Sequence, residues 1–385
     1  MDNIVMTPKR RFLSALFGGR VDRVPVGSPT SVATVECMEI SGACFPAVHL
    51  DAAGMAALAA TAHTILGYDC IMPVFSVQQE AAALGCDVEW GQMDTMPVSR
   101  STPWSTPDAV SIPDDFLEQP SIRTVLNALR ILRKEYGSHV ALVGKVMGPW
   151  TLAYHLHGVQ DFLIKTILEP HTVRLFLDKL KQITILFGRA QIEAGADVLC
   201  LADHATGDLV SATTYRDFLL PVHQELTQTL GCPTVLHICG NTTDRLELIC
   251  TAGFDAFHFE SKVDARTARR ITGNRISLLG NLNNPETLLQ GTPQQVYAEA
   301  MAALQAGVNI VGPECAIPLA TPNRNLLAIA EAAEDFSQST CRLPLRSDAA
   351  SPVTAEQHPG SQDTSEKSEQ MHFPGDGPHT RQHTP

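Results

Sequence analysis

One pattern recurs along this chain and constrains its fold more than any other feature. A segment with helical periodicity ends in glycine, and a short apolar run follows it. Glycine relieves the left-handed backbone at a helix C-terminus, and short apolar runs after such caps are typical of buried parallel strands. The glycines in this position are Gly67, Gly137, Gly195, Gly231, Gly253, Gly273 and Gly307. The pattern therefore predicts consecutive units of strand and helix.

Eight apolar runs are predicted as strands. They are Val24–Ser28, Cys70–Phe75, Ala141–Met147, Val198–Ala202, Thr234–Cys239, Ala256–Glu260, Ile276–Asn281 and Asn309–Cys315. Helix starts are equally clear, and Thr292-Pro293-Gln294-Gln295 combines a capping threonine, proline at the first helical position and glutamine at the third. Eight repeats predict a (β/α)8 TIM barrel, with an open doubly wound sheet as the alternative.

Two regions depart from this rhythm. Residues 76–120 are too long for a simple loop and are predicted to form a hairpin or irregular excursion near the top of the barrel. The end of the chain is rich in Ser, Pro, Gly, Gln, Asp and His and holds few large apolar residues, so it cannot bury enough surface to fold. We therefore predict a barrel domain over residues 1–337 and a disordered polar tail over residues 338–385.

Composition excludes several classes of partner. The formal net charge of −13 argues against nucleic-acid binding, which favours basic surfaces. No apolar run reaches the roughly 18 residues of a membrane span, and the first residues do not form a secretory signal. A cytoplasmic protein is the expectation. Ten cysteines without regular pairing suit a reducing compartment, in which thiols are free to bind metals.

A His-x-Cys pair ends the fifth predicted strand. His237 and Cys239 are two positions apart, so on a strand they project from the same face. Cys315 ends the eighth strand, and a barrel brings the C-terminal ends of all its strands to one mouth. Two thiolates and one imidazole suit zinc, and three protein ligands leave the fourth position open, as in catalytic sites. A closed structural site is the alternative, with Cys200 or His204 as the fourth ligand.

Several longer motifs surround these three residues. Leu236-His237-Ile238-Cys239-Gly240 and Gly312-Pro313-Glu314-Cys315-Ala316 hold the ligands, and Met147-Gly148-Pro149-Trp150, Phe257-His258-Phe259-Glu260 and Leu279-Gly280-Asn281-Leu282 accompany them. From about Thr7 to Phe336 the chain resembles the methylcobamide:coenzyme M methyltransferases, within the uroporphyrinogen decarboxylase superfamily. The resemblance implies a zinc-dependent transfer of a methyl group from a methylated corrinoid protein to a small thiol acceptor, coenzyme M or a similar thiol.

Four further residues at strand ends are candidates for the site. Glu260 and Asp203 are predicted catalytic residues: Glu260 could be a transient metal ligand or accept the thiol proton, and Asp203 could line the pocket. His204 and Asn281 are predicted to contribute to binding of the cofactor or acceptor. Each also has a structural interpretation, as a loop hydrogen bond for Glu260, a strand-end cap for Asp203 and His204, and a turn residue for Asn281.

The corrinoid is expected to arrive on another protein. None of the fourteen histidines has Asp two positions earlier, so the Asp-x-His-x-x-Gly motif of corrinoid-carrying domains is absent. Three alternatives stay open at this point. They are a decarboxylase of the uroporphyrinogen type, a corrinoid methyltransferase that uses a folate or homocysteine acceptor, and a noncatalytic zinc or corrinoid-docking protein.

Overall fold

The structure is a computed structural model, and it describes residues 5–342. Most of the predicted tail, residues 343–385, therefore lies outside the described residues. The strands are β1 Cys70–Ile71, β2 Val88–Glu89, β3 Val98–Ser99, β4 Ala141–Met147, β5 Val198–Ala202, β6 Thr234–Ile238, β7 Ala256–Phe259, β8 Ser277–Leu282 and β9 Ile310–Pro313.

Helices alternate with these strands. The α-helices are α1 Pro8–Leu16, α2 Val35–Ser41, α3 Ala52–Thr64, α4 Gln79–Ala83, α5 Pro120–Glu135, α6 Pro149–Leu156, α7 Val159–Leu168, α8 Pro170–Ala194, α9 Ala212–Thr214, α10 Leu220–Leu230, α11 Leu246–Ile249, α12 Ala265–Thr272, α13 Pro293–Ala306 and α14 Asn323–Arg342. Short 3-10 turns span Ala47–His49, Pro107–Ala109, Phe116–Glu118 and Thr243–Arg245, and π-helical turns span Tyr215–Leu219 and Asn284–Leu289. The last helix continues past residue 337, the predicted end of the barrel domain.

Seven parallel strands form one sheet in the order β1-β4-β5-β6-β7-β8-β9. Neighbours in the sheet are neighbours in the sequence, apart from the small β2–β3 hairpin. A doubly wound sheet would reverse its strand order partway across, and this sheet does not. The predicted (β/α)8 architecture is confirmed.

The first predicted strand closes the barrel through only a few hydrogen bonds. Val26 forms an isolated parallel bridge with Val311, the Gly27 amide donates to the Val311 carbonyl at 3.0 Å, and the Asp69 amide donates to the Val26 carbonyl at 2.7 Å. This segment therefore lies between β9 and β1 but is shorter than predicted. Proline explains the shortening, because Pro25 has no amide hydrogen to extend the ladder, and Pro73 likewise follows the short β1.

Side chains alternate between the barrel interior and the surrounding helices along β4. Gly144 packs against the outer layer, where an added Cβ would lie 2.7 Å from Gln191 Oε1 and 2.8 Å from Leu199 Cδ2. Residues on either side of Gly144 must point the opposite way, so Lys145 faces the barrel interior. Its strand neighbour in register on β5 is Cys200.

The excursion over residues 76–120 contains the predicted hairpin. β2 and β3 pair antiparallel, with Val88 opposite Ser99 and Glu89 opposite Val98. The rest of the excursion is α4, two 3-10 turns and irregular backbone. Within residues 5–342, none of the helices is both long and apolar enough to cross a membrane.

The cap predicted at Thr292 is present in full. The Thr292 hydroxyl accepts from the Gln295 amide at 3.3 Å, and the Gln295 side chain accepts from the Thr292 amide at 2.8 Å. We expect Thr292→Ala to lower the free energy of unfolding by about 1 kcal/mol, because the helix loses one of its few N-terminal acceptors. Urea denaturation followed by circular dichroism measures this. Thr292→Asp retains an acceptor and should stay close to the parent protein, so an equal loss in both variants would contradict the cap.

Candidate metal centre

The three predicted ligands converge at the C-terminal end of the barrel. His237 lies on β6, Cys239 follows that strand, and Cys315 follows β9. His237 Nε2 lies 3.1 Å from Cys239 Sγ and 3.4 Å from Cys315 Sγ, and the two sulfur atoms are 3.3 Å apart. Around a tetrahedral zinc ion, ligand atoms at ~2.1–2.3 Å from the metal lie roughly 3.5–3.8 Å from one another. The triangle is slightly tighter than that and would need only a small expansion.

The backbone around Cys239 is held by two close contacts. Gly240 has a φ of +77°, and a Cβ there would lie 2.1 Å from Thr206 Oγ1, so only glycine fits this turn. The Gly240 amide donates a hydrogen bond to Glu260 Oε2. The residue after the metal-ligand candidate is therefore tied both to the loop after β5 and to the end of β7.

Cys315 is positioned by its neighbour Glu314. That carboxylate is buried, and it accepts from the Asn284 amide at 2.7 Å and from the Ser261 amide at 2.8 Å. Burial raises the pKa of Glu314. The Glu314 side chain therefore joins the loops after β7 and β8.

The two thiols influence each other strongly. Cys239 and Cys315 are free and too far apart to be a disulfide. The hydrogen bond from Cys239 lowers the pKa of Cys315, with a further contribution from His237. The same hydrogen bond, with burial, raises the pKa of Cys239, because two adjacent thiolates repel each other. Deprotonation is therefore easier at Cys315 than at Cys239, and a bound cation would favour the loss of both protons.

The donor set fits a soft divalent metal. Two sulfur atoms and one imidazole nitrogen are the ligands that zinc favours, and these are grouped without any disulfide or ion-pair partner. Within residues 5–342, no fourth His, Cys, Asp or Glu joins this group, whose ligand atoms all lie within 4.8 Å of one another. Cys200 and His204, the candidates for a closed site, are not part of it. The arrangement therefore favours an open site.

His237 packs against a second histidine that sequence reasoning did not assign to the site. The rings of His237 and His258 lie 4.6 Å apart and are tilted by 34°. His258 is fully buried, its Nε2 donates to the Pro313 carbonyl at 2.8 Å, and burial lowers its pKa to about 3. The neutral ring of His258 therefore packs against the imidazole of His237. The sequence feature that could have indicated this role is a histidine within the predicted strand Ala256–Glu260. In the structure His258 is in register with His237 on the neighbouring strand.

Glu260, His204 and Asn281 lie at the same end of the barrel. Glu260 is half-buried and uses one oxygen for the Gly240 amide. His204 is close enough to His237 and Cys315 for their charges to affect it, although burial is the main cause that lowers its pKa. Asn281 donates to the Val263 carbonyl at 3.0 Å and so supports the loop after β7. Their predicted roles in catalysis and binding stay predictions.

Asp203 follows β5 and belongs to a buried hydrogen-bond network. It is fully buried, and Oδ1 accepts from the Thr151 amide at 2.7 Å and from the Thr151 hydroxyl at 3.0 Å. Its Oδ2 lies 3.1 Å from His223 Nε2, whose other nitrogen contacts the Tyr215 hydroxyl. A carboxylate on the third amide of α6 satisfies a free helix donor and the helix dipole. This is the arrangement of the strand-end cap, while the catalytic role of Asp203 stays a prediction.

The sequence comparisons agree with this geometry. The sequence model described as uroporphyrinogen decarboxylase (URO-D) matches residues 7–336. The chain belongs to the uroporphyrinogen decarboxylase family. The limits of the match reproduce those of the resemblance read from the motifs, and they include all three metal-ligand candidates.

Named relatives of this family member are methyltransferases. The methylated-thiol–coenzyme M methyltransferase of Methanosarcina mazei is 37% identical over 331 residues, which cover 86% of this chain and 90% of the relative. The methylcobamide:CoM methyltransferase MtaA of Methanosarcina barkeri is 34% identical over 333 residues, which cover 86% and 98%. A solved methyltransferase from Methanosarcina mazei has a TM-score of 0.84, 34% identity, and coverage of 86% and 99%. The resemblance to this branch of the family is confirmed.

A second group of polar residues lies inside the barrel of this uroporphyrinogen decarboxylase family member, and sequence reasoning missed it. Lys145, Glu80 and His49 are at most 2% exposed. Glu80 Oε2 and both ring nitrogens of His49 have no hydrogen-bond partner among residues 5–342. The available signal was a lysine in the otherwise apolar strand Ala141–Met147.

Proposed function

We propose that this protein transfers a methyl group from a methylated corrinoid, carried by a partner protein, to the sulfur of a small thiol. The observation that carries the proposal is the triangle of His237 Nε2, Cys239 Sγ and Cys315 Sγ at the mouth of the barrel. The names of the most similar relatives support a corrinoid donor and coenzyme M as the acceptor. Active sites of such barrels lie at this end.

The three side chains would hold one zinc ion through Nε2 and the two sulfur atoms. Zinc bound in this way would supply an open position for the acceptor sulfur and would favour its deprotonated form. The ligands are rigid, because His237 is packed on His258, and Glu314 and Gly240 hold the backbone next to the two cysteines. Ligands held in this way would bind the ion in a single arrangement.

Glu260 is the side chain best placed to accept the proton of an incoming thiol. One of its oxygens is engaged by the Gly240 amide, and the other has no partner among residues 5–342. Its charge adds to the effects of Cys315 and of burial that raise the pKa of Cys239, and its hydrogen bond to the Gly240 amide keeps it next to that cysteine. A carboxylate in this position could move a proton from the mouth to solvent.

The overall reaction balances without an external oxidant or reductant. The acceptor thiol loses its proton, and its sulfur forms a bond to the methyl carbon. The cobalt–carbon bond breaks, and its electron pair stays on cobalt, which changes from Co(III) to Co(I). The products are a methyl thioether and a reduced corrinoid, and the corrinoid leaves with its carrier protein. The loops over residues 30–49 and 76–120 are the proposed docking surface for that carrier.

The test uses the purified full-length chain and free methylcobalamin. We expect one zinc ion per chain and a thiol-dependent loss of the methylcobalamin absorbance, with 2-mercaptoethanesulfonate as the first acceptor. Mass spectrometry of the methyl thioether confirms the product. Homocysteine and a tetrahydrofolate are tested in parallel. Turnover with the tetrahydrofolate but with neither thiol would show that the acceptor is a folate and not a thiol. A zinc-loaded protein that demethylates methylcobalamin with none of these acceptors would refute the proposed function.

A further inference from the structure

Three buried polar groups inside the barrel have unused hydrogen-bonding capacity. Lys145 faces the interior from β4, Glu80 comes from α4, and His49 comes from the 3-10 turn Ala47–His49. The backbone of Lys145 is hydrogen-bonded to Gln191, but its ammonium has no hydrogen-bond or ion-pair partner within the described part of the chain. Burying an ammonium group without a partner lowers the stability of the folded protein by roughly several kcal/mol. Such a cost is typical of groups that are kept for binding or catalysis.

The groups are close enough to act on one ligand. Lys145 faces the barrel interior below the metal-ligand candidates, and the charges of Cys200, Glu80 and Cys315 all act on its ammonium. It also adds to the effect of burial in lowering the pKa of His49 to about 4. Burial lowers the pKa of Lys145, and an anionic ligand bound beside it would favour the charged form. The interior would then hold a positive charge next to polar groups with free hydrogen-bonding atoms.

Glu80 does not cancel this charge through an ion pair. Its Oε1 accepts from the Met147 amide at 2.8 Å, while Oε2 has no partner among residues 5–342. Burial raises the pKa of Glu80 to about 7. In its protonated form, the free oxygen donates a hydrogen bond, which suits an anion.

The position of Lys145 relative to the metal centre sets the size of the ligand. Lys145 is in register with Cys200, and Cys200 is in register with Val235, two residues before His237 on β6. One inward-facing layer, ~6.6 Å along the strands, therefore separates the Cα atom of Lys145 from the level of His237. A sulfur atom at the mouth and an anionic group joined to it by two carbons span a gap of that order.

We propose that Lys145, with Glu80 and His49, forms the binding site for the anionic end of the thiol acceptor, a sulfonate or carboxylate two carbons from the sulfur. This assignment rests on the proposed function. The acceptor then enters with its anionic end directed into the barrel, and its sulfur stays at the mouth, where the corrinoid carrier docks. The interior charge selects anionic thiols over neutral thiols of the same length.

The test compares acceptors in the methylcobalamin assay. The measured quantity is the kcat/KM for 2-mercaptoethanesulfonate divided by that for 2-mercaptoethanol, which has the same length and no charge. We expect Lys145→Met to lower this ratio roughly 10- to 100-fold, because one charge-assisted hydrogen bond is lost. Lys262→Met is the matched control, since Lys262 follows β7 at the same end of the barrel but has a side chain that is 56% exposed. The control should keep the parent ratio.

Further variants and acceptors distinguish the loss of the charge from misfolding and a sulfonate site from a carboxylate site. Lys145→Gln keeps a polar group without charge and should show the same fall, and circular dichroism verifies that each variant folds. A parallel series with 3-mercaptopropionate tells a carboxylate site from a sulfonate site, and preference for either anion supports the proposal. An unchanged ratio in both Lys145 variants, or an equal fall in Lys262→Met, overturns it.

A binding measurement decides the question independently of turnover. Ethanesulfonate has the anionic end but no thiol, and calorimetry should detect its binding to the zinc-loaded parent protein and a loss of that binding in Lys145→Met. If no thiol supports demethylation, the proposed function fails, and this measurement still tests the anion site. Equal binding of ethanesulfonate to parent and variant would reject the site even if the methyl transfer were established.

Discussion

Replacing Cys239 by alanine is expected to reduce bound zinc from one ion per chain to a small fraction and to lower thiol-dependent methylcobalamin turnover by at least ~10³-fold. One of three ligands is lost, and the binding free energy of zinc is distributed over few ligands, so the remaining pair holds the ion weakly. The Cys239 sulfur lies 3.1 Å from His237 Nε2 and 3.3 Å from Cys315 Sγ, and no fourth His, Cys, Asp or Glu of residues 5–342 belongs to this group to replace it.

The measurement is zinc content by inductively coupled plasma mass spectrometry, together with the initial rate. Cys232→Ala is the matched control, since Cys232 is also a half-buried free cysteine but follows α10 outside the group of metal-ligand candidates. It should keep both zinc and turnover. If Cys239→Ala retained both properties, the proposed metal centre would be wrong.

Replacing Asp203 by alanine is expected to lower the free energy of unfolding by about 3–5 kcal/mol. The substitution leaves the Thr151 amide, the Thr151 hydroxyl and His223 without their buried acceptor. Unpaired buried donors each carry a desolvation cost, and the first turn of α6 loses its capping charge. Chemical denaturation of the zinc-loaded protein measures the loss.

Asp203→Asn separates the two interpretations of this residue. Asparagine keeps an acceptor oxygen for Thr151, and its amide can face His223 if that ring changes tautomer. We expect a loss of only about 1 kcal/mol and a small change in kcat. A large fall in kcat at nearly unchanged stability would instead support the predicted catalytic role of Asp203.

Local sequence patterns were sufficient to predict the barrel and its metal-ligand candidates. Glycine caps and apolar runs report the strand–helix unit directly, and the rule that strand ends meet at one mouth brings Cys315 to His237 without any knowledge of side-chain packing. The same rule cannot tell which strand-end residues turn inward. Asp203 and Asn281 end their strands, yet both use their polar atoms on neighbouring backbone or buried side chains.

The interior cluster was missed for a different reason. Lys145, Glu80 and His49 come from a strand and from two separate helical turns, and their proximity depends on how the loops after the first strands fold back over the barrel. Hydrophobic periodicity describes which face of an element is buried, but it does not describe polar groups that are buried by distant segments. Strand lengths were overestimated near Pro25 and Pro73, where the ladder loses an amide donor.

The narrow closure of the barrel has a consequence for the stability of the metal centre. Cys315 lies just beyond the end of β9. One edge of β9 pairs with β8, and within residues 5–342 its other edge is joined to the rest of the barrel at the Val26–Val311 bridge. The strand that leads to Cys315, one of the three metal-ligand candidates, is therefore also the strand next to the join with the fewest backbone pairs in the described sheet. A bound metal ion would link Cys315, after β9, to Cys239, after β6. It would therefore stabilise the closed barrel against separation of β9 from the segment around Val26.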